Sequence, residues 1–424
     1  MAPHRVDFGS SLGEEKSSLR DLALFGGARL FLHQVHVGRP NVPDTEGLLK
    51  RIRRVLERRW LTNDGPEVQE FERQVANICG VRHCVAMCNG TAALEIAIRA
   101  ADLGGEVIVP SFTFVATAHA LQWQGIQPVF CDIDESYCLD PLEVEKLITP
   151  RTTGVIGVHL WGQAGKVKSL TDICRRHNLS LLFDAAHAFA CSHNGEMIGC
   201  FGRAEVLSFH ATKFVNTLEG GAVVTNDSEF ADRCRAMRNF GFSGEDLVTT
   251  LGINGKMNEF EAVMGLASLD RMEEFIAANR SNYLEYEKEL ADIPGMRLRR
   301  YDLRERNNFQ YIAVEVGADA GVSRDQLHTL MHAENILARR YFYPGCHRME
   351  PYRSLYPGTE LRLPRTARAC ADMLCLPTGT SVVVEDIHSI CALLRFAVRN
   401  HGEIQRRWDA RAKFRPATGM RDKG

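Results

Sequence analysis

A lysine and an aspartate near the ends of two apolar runs are the residues whose types and spacing indicate chemistry. The run from Leu181 to Asp184 ends in a carboxylate, and the run from Val206 to His210 leads to Lys213. If the two runs are neighbouring strands, both groups face the crevice where open α/β sheets bind ligands. A serine, Ser208, and Gly220-Gly221 flank the lysine. The pattern indicates a Schiff base between Lys213 and pyridoxal 5'-phosphate (PLP), with Asp184 holding the pyridine nitrogen protonated. The alternative is a surface lysine and a helix-capping aspartate.

Two further stretches suit the same cofactor. Asn89-Gly90-Thr91 lies between a predicted strand and a predicted helix, where free N–H groups and the helix dipole favour a phosphate. Phe114 follows a buried strand and is a candidate for stacking on a flat heteroaromatic ring, although it also suits a hydrophobic core. A lysine that exchanges protons at pH 7 must have a pKa below the ordinary value of about 10.4, so the site must lower the pKa of Lys213.

Alternating strand and helix patterns predict the scaffold. They favour a largely parallel sheet covered by helices on both faces, and therefore an α/β fold. Helices are predicted over 45–59 and through a long helical region from Glu259 to about Leu290. Pro294-Gly295 marks the start of a smaller α+β domain. The predicted divisions are a loosely held N-terminal arm over 1–29, a large domain over 30–290 and a small C-terminal domain over 291–424.

Composition excludes several classes of protein. The 424 residues are 45% apolar and 25% charged with a formal net charge of −2, which gives no electrostatic case for nucleic acid or an anionic membrane. No apolar run approaches the roughly 20 residues that span a bilayer, and the N-terminus lacks the apolar region of a secretory signal. Thirteen scattered cysteines indicate reduced core residues of a cytoplasmic protein. Cys79, Cys84, Cys88 and His83 lack a C-x-x-C pair, so no metal site is expected.

Six motifs in one order resemble the DegT/StrS family of PLP-dependent sugar-nucleotide aminotransferases. The resemblance extends from about Pro40 to about Arg399. It implies a fold-type I aminotransferase, with a mostly parallel seven-stranded sheet in the large domain, and a homodimer whose active sites lie at the subunit interface. The motifs are Trp60 through Gly65-Pro66, Asn89-Gly90-Thr91-Ala92-Ala93-Leu94, Pro110-Ser111-Phe112-Thr113-Phe114, Asp184-Ala185-Ala186-His187, Ser208-Phe209-His210-Ala211-Thr212-Lys213 and Gly252-Ile253-Asn254.

The resemblance implies a role for each matching residue. Lys213 and Asp184 would be catalytic, and Asp184 would bind the pyridinium nitrogen. Phe114 would stack on the cofactor ring, and Gly90, Thr91 and Ser208 would bind its phosphate. Asn254 of the partner subunit would join them at the phosphate, and His187 would lie beside the ring oxygen. The substrate contacts would be Thr62, His347, Lys256 and Arg339, and Arg39 and Arg340 are further basic candidates for the nucleotide. His187 stands where the family usually has Gln, and Lys256 where it often has Arg.

The implied reaction moves an amino group from L-glutamate to a keto group on a nucleotide-linked sugar. Gly255-Lys256-Met257, Gly38-Arg39-Pro40 and His210-Ala211-Thr212-Lys213 most resemble the branch that aminates dTDP-4-keto-6-deoxy-D-glucose at C4, which supplies deoxyamino sugars for natural products such as antibiotics. Alternatives are amination at C3 and a PLP-dependent dehydratase of the same family. Sugar dehydratases replace the lysine with histidine, so Lys213 disfavours that kind, whereas an aminodehydroquinate-type dehydratase keeps the lysine. A non-catalytic PLP-fold regulator or a structural scaffold is the alternative of a different class.

Overall fold

Helices and strands alternate through most of the computed structural model, which describes residues 16–413 and side chains as far as residue 410. The helices are α1 (Thr45–Arg58), α2 (Pro66–Cys79), α3 (Gly90–Ala100), α4 (Ala116–Gln122), α5 (Pro141–Leu147), α6 (Val167–Arg176), α7 (Ser228–Arg238), α8 (Glu259–Leu269), α9 (Met272–Leu290), α10 (Arg324–Ala333), α11 (Tyr352–Leu355), α12 (Pro364–Asp372), α13 (Val384–Arg399) and α14 (His401–Lys413). The strands are β1 (Val35–His36), β2 (His83–Met87), β3 (Glu106–Pro110), β4 (Gln127–Cys131), β5 (Thr152–Val158), β6 (Ser180–Asp184), β7 (Ser192–His193), β8 (Glu196–Met197), β9 (Ala204–Ser208), β10 (Gly221–Thr225), β11 (Phe242–Gly244), β12 (Leu247–Val248), β13 (Met296–Leu298), β14 (Ile312–Val316), β15 (Ile336–Leu337) and β16 (Met373–Leu376).

A seven-stranded sheet with the order β2-β10-β9-β6-β5-β3-β4 is the centre of the large domain. Strand β10 is antiparallel to both its neighbours, and the other strand pairs are parallel. The strands are mostly buried from end to end, as expected for a sheet that helices cover on both faces. This arrangement confirms the predicted α/β class and the mostly parallel seven-stranded sheet.

Strands β6 and β9 are neighbours, which brings the two chemical groups of the sequence to one edge. Asp184 pairs with Val206 in the parallel register of these strands. The chain then leaves β9 after Ser208 and reaches Lys213 within five residues, on the same side of the sheet. The prediction that Asp184 and Lys213 follow neighbouring strands, and so face one ligand-binding crevice, is therefore confirmed.

The small domain is built on the antiparallel sheet β13-β14-β16. Its apolar core joins that sheet to α10 and α13, and it also includes Tyr283, Tyr286 and Leu290 from the second half of α9. Helix α9 thus belongs in part to the small-domain core, and the division at residue 290 stays a prediction.

The helical region predicted from Glu259 to Leu290 is two helices. Helix α8 ends at Leu269 and α9 begins at Met272, so the break falls at Asp270-Arg271, where the sequence has no glycine or proline. Tertiary packing explains the break, because α8 is buried against α1 and α2 whereas α9 crosses to the small domain.

Residues 16–29 are packed against the small domain rather than loosely held. Leu22 is fully buried in the small-domain core. The carboxylate of Glu334 accepts hydrogen bonds from the backbone N–H groups of Ala23 and Leu30, each at 2.7 Å, and pairs with Lys16 at 3.2 Å. The expected loose attachment is wrong for this part of the arm, because a buried carboxylate secures it. Residues 1–15 lie outside the described residues.

The thirteen cysteines are all free, and most of them are buried. This agrees with their interpretation as core residues. Among the described residues, no helix has both the length and the apolar character to cross a bilayer.

Candidate active site

A cavity of about 320 Å³ at the carboxyl ends of β6 and β9 contains the chemistry predicted from the sequence. The small domain closes it with Tyr311, Arg339, Tyr341 and Phe342. Eight of the predicted site residues line this single cavity: Gly90, Thr91, Phe114, Asp184, His187, Ser208, Lys213 and Arg339.

Asp184 is a buried carboxylate held by hydrogen bonds from the large domain. The hydroxyl of Thr117 donates to Oδ2 at 2.8 Å, and the backbone N–H of Ala186 donates to Oδ1 at 3.1 Å. Burial raises the pKa of Asp184, whereas these two donors and Lys213 act in the opposite direction. A cation placed beside Asp184 would stabilise the charged form of this buried carboxylate.

Lys213 is surrounded by protein, although its side chain keeps some solvent contact through the cavity. Burial lowers its pKa from 10.5 to about 8, and the nearby Asp184 partly opposes this effect. The lowered value agrees with the sequence-based requirement for a lysine that exchanges protons near neutral pH. Its Nζ donates to the hydroxyl of Tyr311 at 3.3 Å.

His187 is buried beside Lys213, against the aromatic rings of the small domain. Its ring centroid lies 4.5 Å from that of Tyr311 and 5.7 Å from that of Phe342, nearly parallel to the latter. Burial, together with Lys213, lowers the pKa of His187 well below its ordinary value, so the ring is neutral. Because the backbone N–H of Trp161 donates to Nδ1 at 3.4 Å, the assigned proton lies on Nε2. His187 is thus able to donate a hydrogen bond from Nε2.

The opposite end of the cavity is an anion cradle at the start of α3. Asn89 caps this helix by accepting the N–H of Ala92 at 2.8 Å, and Gly90 and Thr91 form the first turn. Backbone N–H groups of a first helical turn lack intrahelical partners and attract anions. A methyl group on Gly90 would lie 3.3 Å from Cβ of Ser208, so a side chain there would crowd the cradle. Phe114 lies beside the cavity with 58% of its surface exposed, which leaves a ring face available for stacking.

The other four predicted site residues lie outside this cavity in the single chain. Thr62 is in an exposed turn, where its carbonyl accepts the indole N–H of Trp60. Asn254 is exposed, and Lys256 donates to the amide oxygen of Asn239 at 2.9 Å. His347 is 2% exposed, and its Nδ1 lies 2.7 Å from the hydroxyl of Ser111, so its ring faces the end of β3.

Two side chains that hydrogen-bond to Asp184 or Lys213 escaped the sequence-based prediction. The sequence contained one weak indication of Thr117, because it is the hydroxyl residue at the start of α4, three positions after Phe114. Tyr311 had none, because it reaches Lys213 from a strand that is 98 positions later in the chain. Arg340, a candidate basic contact, pairs with Asp325 at 3.1 Å and does not line the cavity.

Comparisons with known proteins place this arrangement in context. The sequence profile of the DegT/DnrJ/EryC1/StrS aminotransferase family matches residues 44–395. A dTDP-4-amino-4,6-dideoxy-D-glucose transaminase from Shigella dysenteriae is 34% identical over 362 residues, covering 85% of this chain and 98% of that protein. A GDP-perosamine synthase from Caulobacter vibrioides is 35% identical over 347 residues, covering 80% and 92%. The crystal structure of DesI, solved in the presence of its TDP-sugar product, superposes with a TM-score of 0.89 at 47% identity, covering 92% of this chain and all of DesI.

Proposed function

The chain belongs to the DegT/DnrJ/EryC1/StrS aminotransferase family, and on that premise we propose that it uses PLP to move an amino group from L-glutamate to C4 of dTDP-4-keto-6-deoxy-D-glucose. The observation that carries the proposal is Lys213, with its lowered pKa, beside the buried Asp184 in one cavity. The similarity to a dTDP-sugar 4-transaminase and to DesI supports the sugar and its nucleotide. We further propose that the amino sugar product serves the biosynthesis of a glycosylated natural product.

The residues of the cavity fit PLP by their chemistry. A carboxylate that burial disfavours suits a cationic ring nitrogen, and a lysine with a pKa of about 8 suits an aldehyde. The cradle of Gly90, Thr91 and Ser208 suits a phosphate, because a side chain at position 90 would obstruct it. When bound, PLP links covalently to amines and withdraws electrons from the carbon next to the nitrogen.

Each side chain has a distinct role in this proposal. Asp184 keeps the ring nitrogen of the cofactor cationic, and Phe114 stacks on the ring. Lys213 would hold the cofactor, and its free amine would be the general base and acid that moves the proton at the reacting carbon. The hydroxyl of Tyr311 accepts a hydrogen bond from Nζ and directs the lysine across the cavity. His187 would donate from Nε2 to the ring oxygen of the cofactor.

We propose a cytoplasmic homodimer that shares its active sites. Exposed apolar side chains precede Asn254, and a second copy of the chain would cover them: Phe240, Phe242, Leu247, Val248, Leu251 and Ile253. In this arrangement Asn254 reaches the cofactor phosphate of the other subunit. Thr62, Lys256 and His347 are the proposed sugar-nucleotide contacts, and they meet the substrate in the dimer.

An absorption experiment tests the first half of the reaction. The PLP-loaded enzyme should show a visible band that disappears with L-glutamate while 2-oxoglutarate is released. Lys213→Ala should lack both effects, whereas Lys50→Ala, which removes an exposed lysine of α1, should retain them. A band that does not depend on Lys213, or no release of 2-oxoglutarate by the wild type, would contradict the proposal.

A panel of sugars tests the second half. The glutamate-treated enzyme should convert dTDP-4-keto-6-deoxy-D-glucose to a 4-amino sugar, as identified by mass spectrometry and NMR. The matched probes are the dTDP-3-keto isomer and GDP-4-keto-6-deoxy-D-mannose, which change the keto position and the nucleotide. A clear preference for the 3-keto isomer would reassign the aminated carbon.

A further inference from the structure

Lys213 lies in a loop that has no regular secondary structure to hold it. Residues 209–220, the lysine loop, connect β9 to β10 and form turns and bends, with neither helix nor strand. The lysine side chain adds a flexible four-carbon stem to this irregular backbone. The position of its Nζ in the cavity therefore depends on contacts that fix the loop from outside.

Two buried side-chain amides hold the backbone carbonyls on either side of Lys213. Nε2 of Gln310 donates to the carbonyl of Thr212 at 3.1 Å, and Nδ2 of Asn41 donates to the carbonyl of Phe214 at 3.0 Å. Gln310 is 9% exposed and Asn41 is 3% exposed. Because a buried carbonyl that loses its donor is left unsatisfied at a cost in free energy, the two amides resist displacement of the backbone at both neighbours of the lysine.

Asn41 also joins the lysine loop to the small domain. Its Oδ1 accepts hydrogen bonds from the hydroxyl of Thr380 at 2.7 Å and from the backbone N–H of the same residue at 3.3 Å. Its backbone carbonyl accepts a hydrogen bond from Nδ2 of Asn216, within the loop, at 3.0 Å. Because a backbone N–H only donates and a carbonyl only accepts, these partners determine which end of the Asn41 amide faces the loop. One side chain thus bridges the loop and the small domain.

The segment that carries Asn41, residues 35–41, is held independently of this amide. Its first residues form β1, which pairs in parallel with β15 of the small domain. Val37 then donates its backbone N–H to the carbonyl of Leu337 at 3.3 Å. At Gly38, where φ is +74°, a methyl group would lie 3.0 Å from Cβ of Thr212, so the segment runs directly against the lysine loop. The backbone at position 41 should therefore stay in place when only the amide is removed.

We propose that Asn41 is a positioning residue for Lys213, with Gln310 as its counterpart on the other side of the lysine. By holding the flanking carbonyls, the two amides keep the lysine backbone at a fixed distance from the reacting carbon while the free amine moves the proton. Proton transfer requires hydrogen-bond reach between the two atoms, and a displacement of about 1 Å can slow such a step by about 100-fold. This role rests on the proposed function, because it assumes that Lys213 moves a proton.

The cofactor-free protein tests the positioning apart from the reaction. In Asn41→Ala, backbone hydrogen exchange in peptides from residues 209–220 should be about 10-fold faster, as followed by mass spectrometry. Competitive labelling with acetic anhydride should place the pKa of Lys213 above its value of about 8, because a displaced loop exposes the amine to water. The matched control is Asn307→Ala. This buried amide also donates to a backbone carbonyl, that of Asp302 at 2.7 Å, but in a different loop, and its loss should leave both readings unchanged.

With the PLP-loaded enzyme, the same variants test the proton transfer. Asn41→Ala should slow the single-turnover reaction with saturating L-glutamate by about 10- to 100-fold and leave the half-saturating concentration unchanged. The deuterium isotope effect with glutamate labelled at its α-carbon should increase, because proton transfer becomes the slower step. Gln310→Leu should change the rate and the isotope effect in the same direction, whereas Asn307→Ala should match the wild type.

Two results would overturn the positioning role. One is unchanged hydrogen exchange with an unchanged isotope effect in folded Asn41→Ala, and the other is an equal loss in Asn307→Ala, which would indicate general destabilisation. If Asn41→Ala does not fold, Asn41→Asp decides, since it keeps the volume of the side chain and an oxygen facing Thr380 but removes the donor to Phe214. A wild type that reacts with no amino donor would instead overturn the proposed function, while hydrogen exchange of residues 209–220 would still show whether Asn41 holds the lysine loop.

Discussion

The pKa of Lys213 can be measured directly, and the response to Asp184→Asn tests its physical cause. At pH 7 a lysine with a pKa of about 8 is roughly 9% neutral, compared with roughly 0.03% for a pKa of 10.5, a difference of about 300-fold. Burial is the main cause of the lowering, and Asp184 opposes it because a carboxylate favours the ammonium. Removing that negative charge should therefore lower the pKa of Lys213 further, by about one unit.

Competitive labelling of the cofactor-free protein with acetic anhydride measures this value without cofactor binding. The labelling of the Lys213 peptide is followed by mass spectrometry between pH 6 and pH 11, and its midpoint should lie near 8 in the wild type and about one unit lower in Asp184→Asn. Lys146 is the internal reference, since a hydrogen bond to Glu143 raises its pKa and its labelling should begin only at higher pH. A wild-type midpoint near 10.5, or a rise in Asp184→Asn, would refute the assigned balance of burial and charge.

Three further substitutions test one contact of the site and two buried contacts of the fold. Thr117→Val removes the 2.8 Å donor to Asp184 and should weaken PLP binding by about 10-fold or more in a fluorescence titration; unchanged affinity would show that the hydroxyl does not stabilise the carboxylate. Leu22→Ala should lower the free energy of unfolding by about 2–5 kcal/mol in urea, whereas a change below about 0.5 kcal/mol would mean that the arm is loosely held. Glu259→Gln alters a buried carboxylate that accepts two N–H groups of α2 and pairs with Arg58; it should destabilise by about 2–4 kcal/mol, and equal stability would contradict that role.

The part of the cavity that we propose to bind the cofactor was predictable because its residues lie at the ends of local patterns. Asp184 ends an apolar run, Lys213 follows another, and Gly90 begins a helix, so a mostly parallel sheet is sufficient to bring all three together. The antiparallel direction of β10 was not predictable in this way. Its run of buried residues is the same in either direction, and strand direction depends on how the chain connects.

The contribution of the small domain could not be read from local spacing. Tyr311 meets Lys213 across 98 positions, and Glu334 meets Leu30 across 304. Such contacts depend on how two packed units meet, which no periodicity encodes. The burial of Leu22 could not be predicted for the same reason. A short apolar stretch near the N-terminus gives no local sign of the small-domain core against which it packs.

Both domains contribute residues to the cavity. The large domain supplies the groups proposed to bind the cofactor, Asp184, Lys213 and the cradle, whereas the small domain supplies Tyr311, against which His187 packs, and the guanidinium of Arg339. Burial by both domains penalises the charged forms of Asp184 and Lys213. A ligand with a cationic ring nitrogen and an aldehyde would relieve both penalties, since the first pairs with the carboxylate and the second consumes the neutral amine. The energetic cost of burying these two groups therefore favours the binding of such a ligand over others. The small domain maintains this burial, so its contacts matter to the chemistry as much as the large-domain residues themselves.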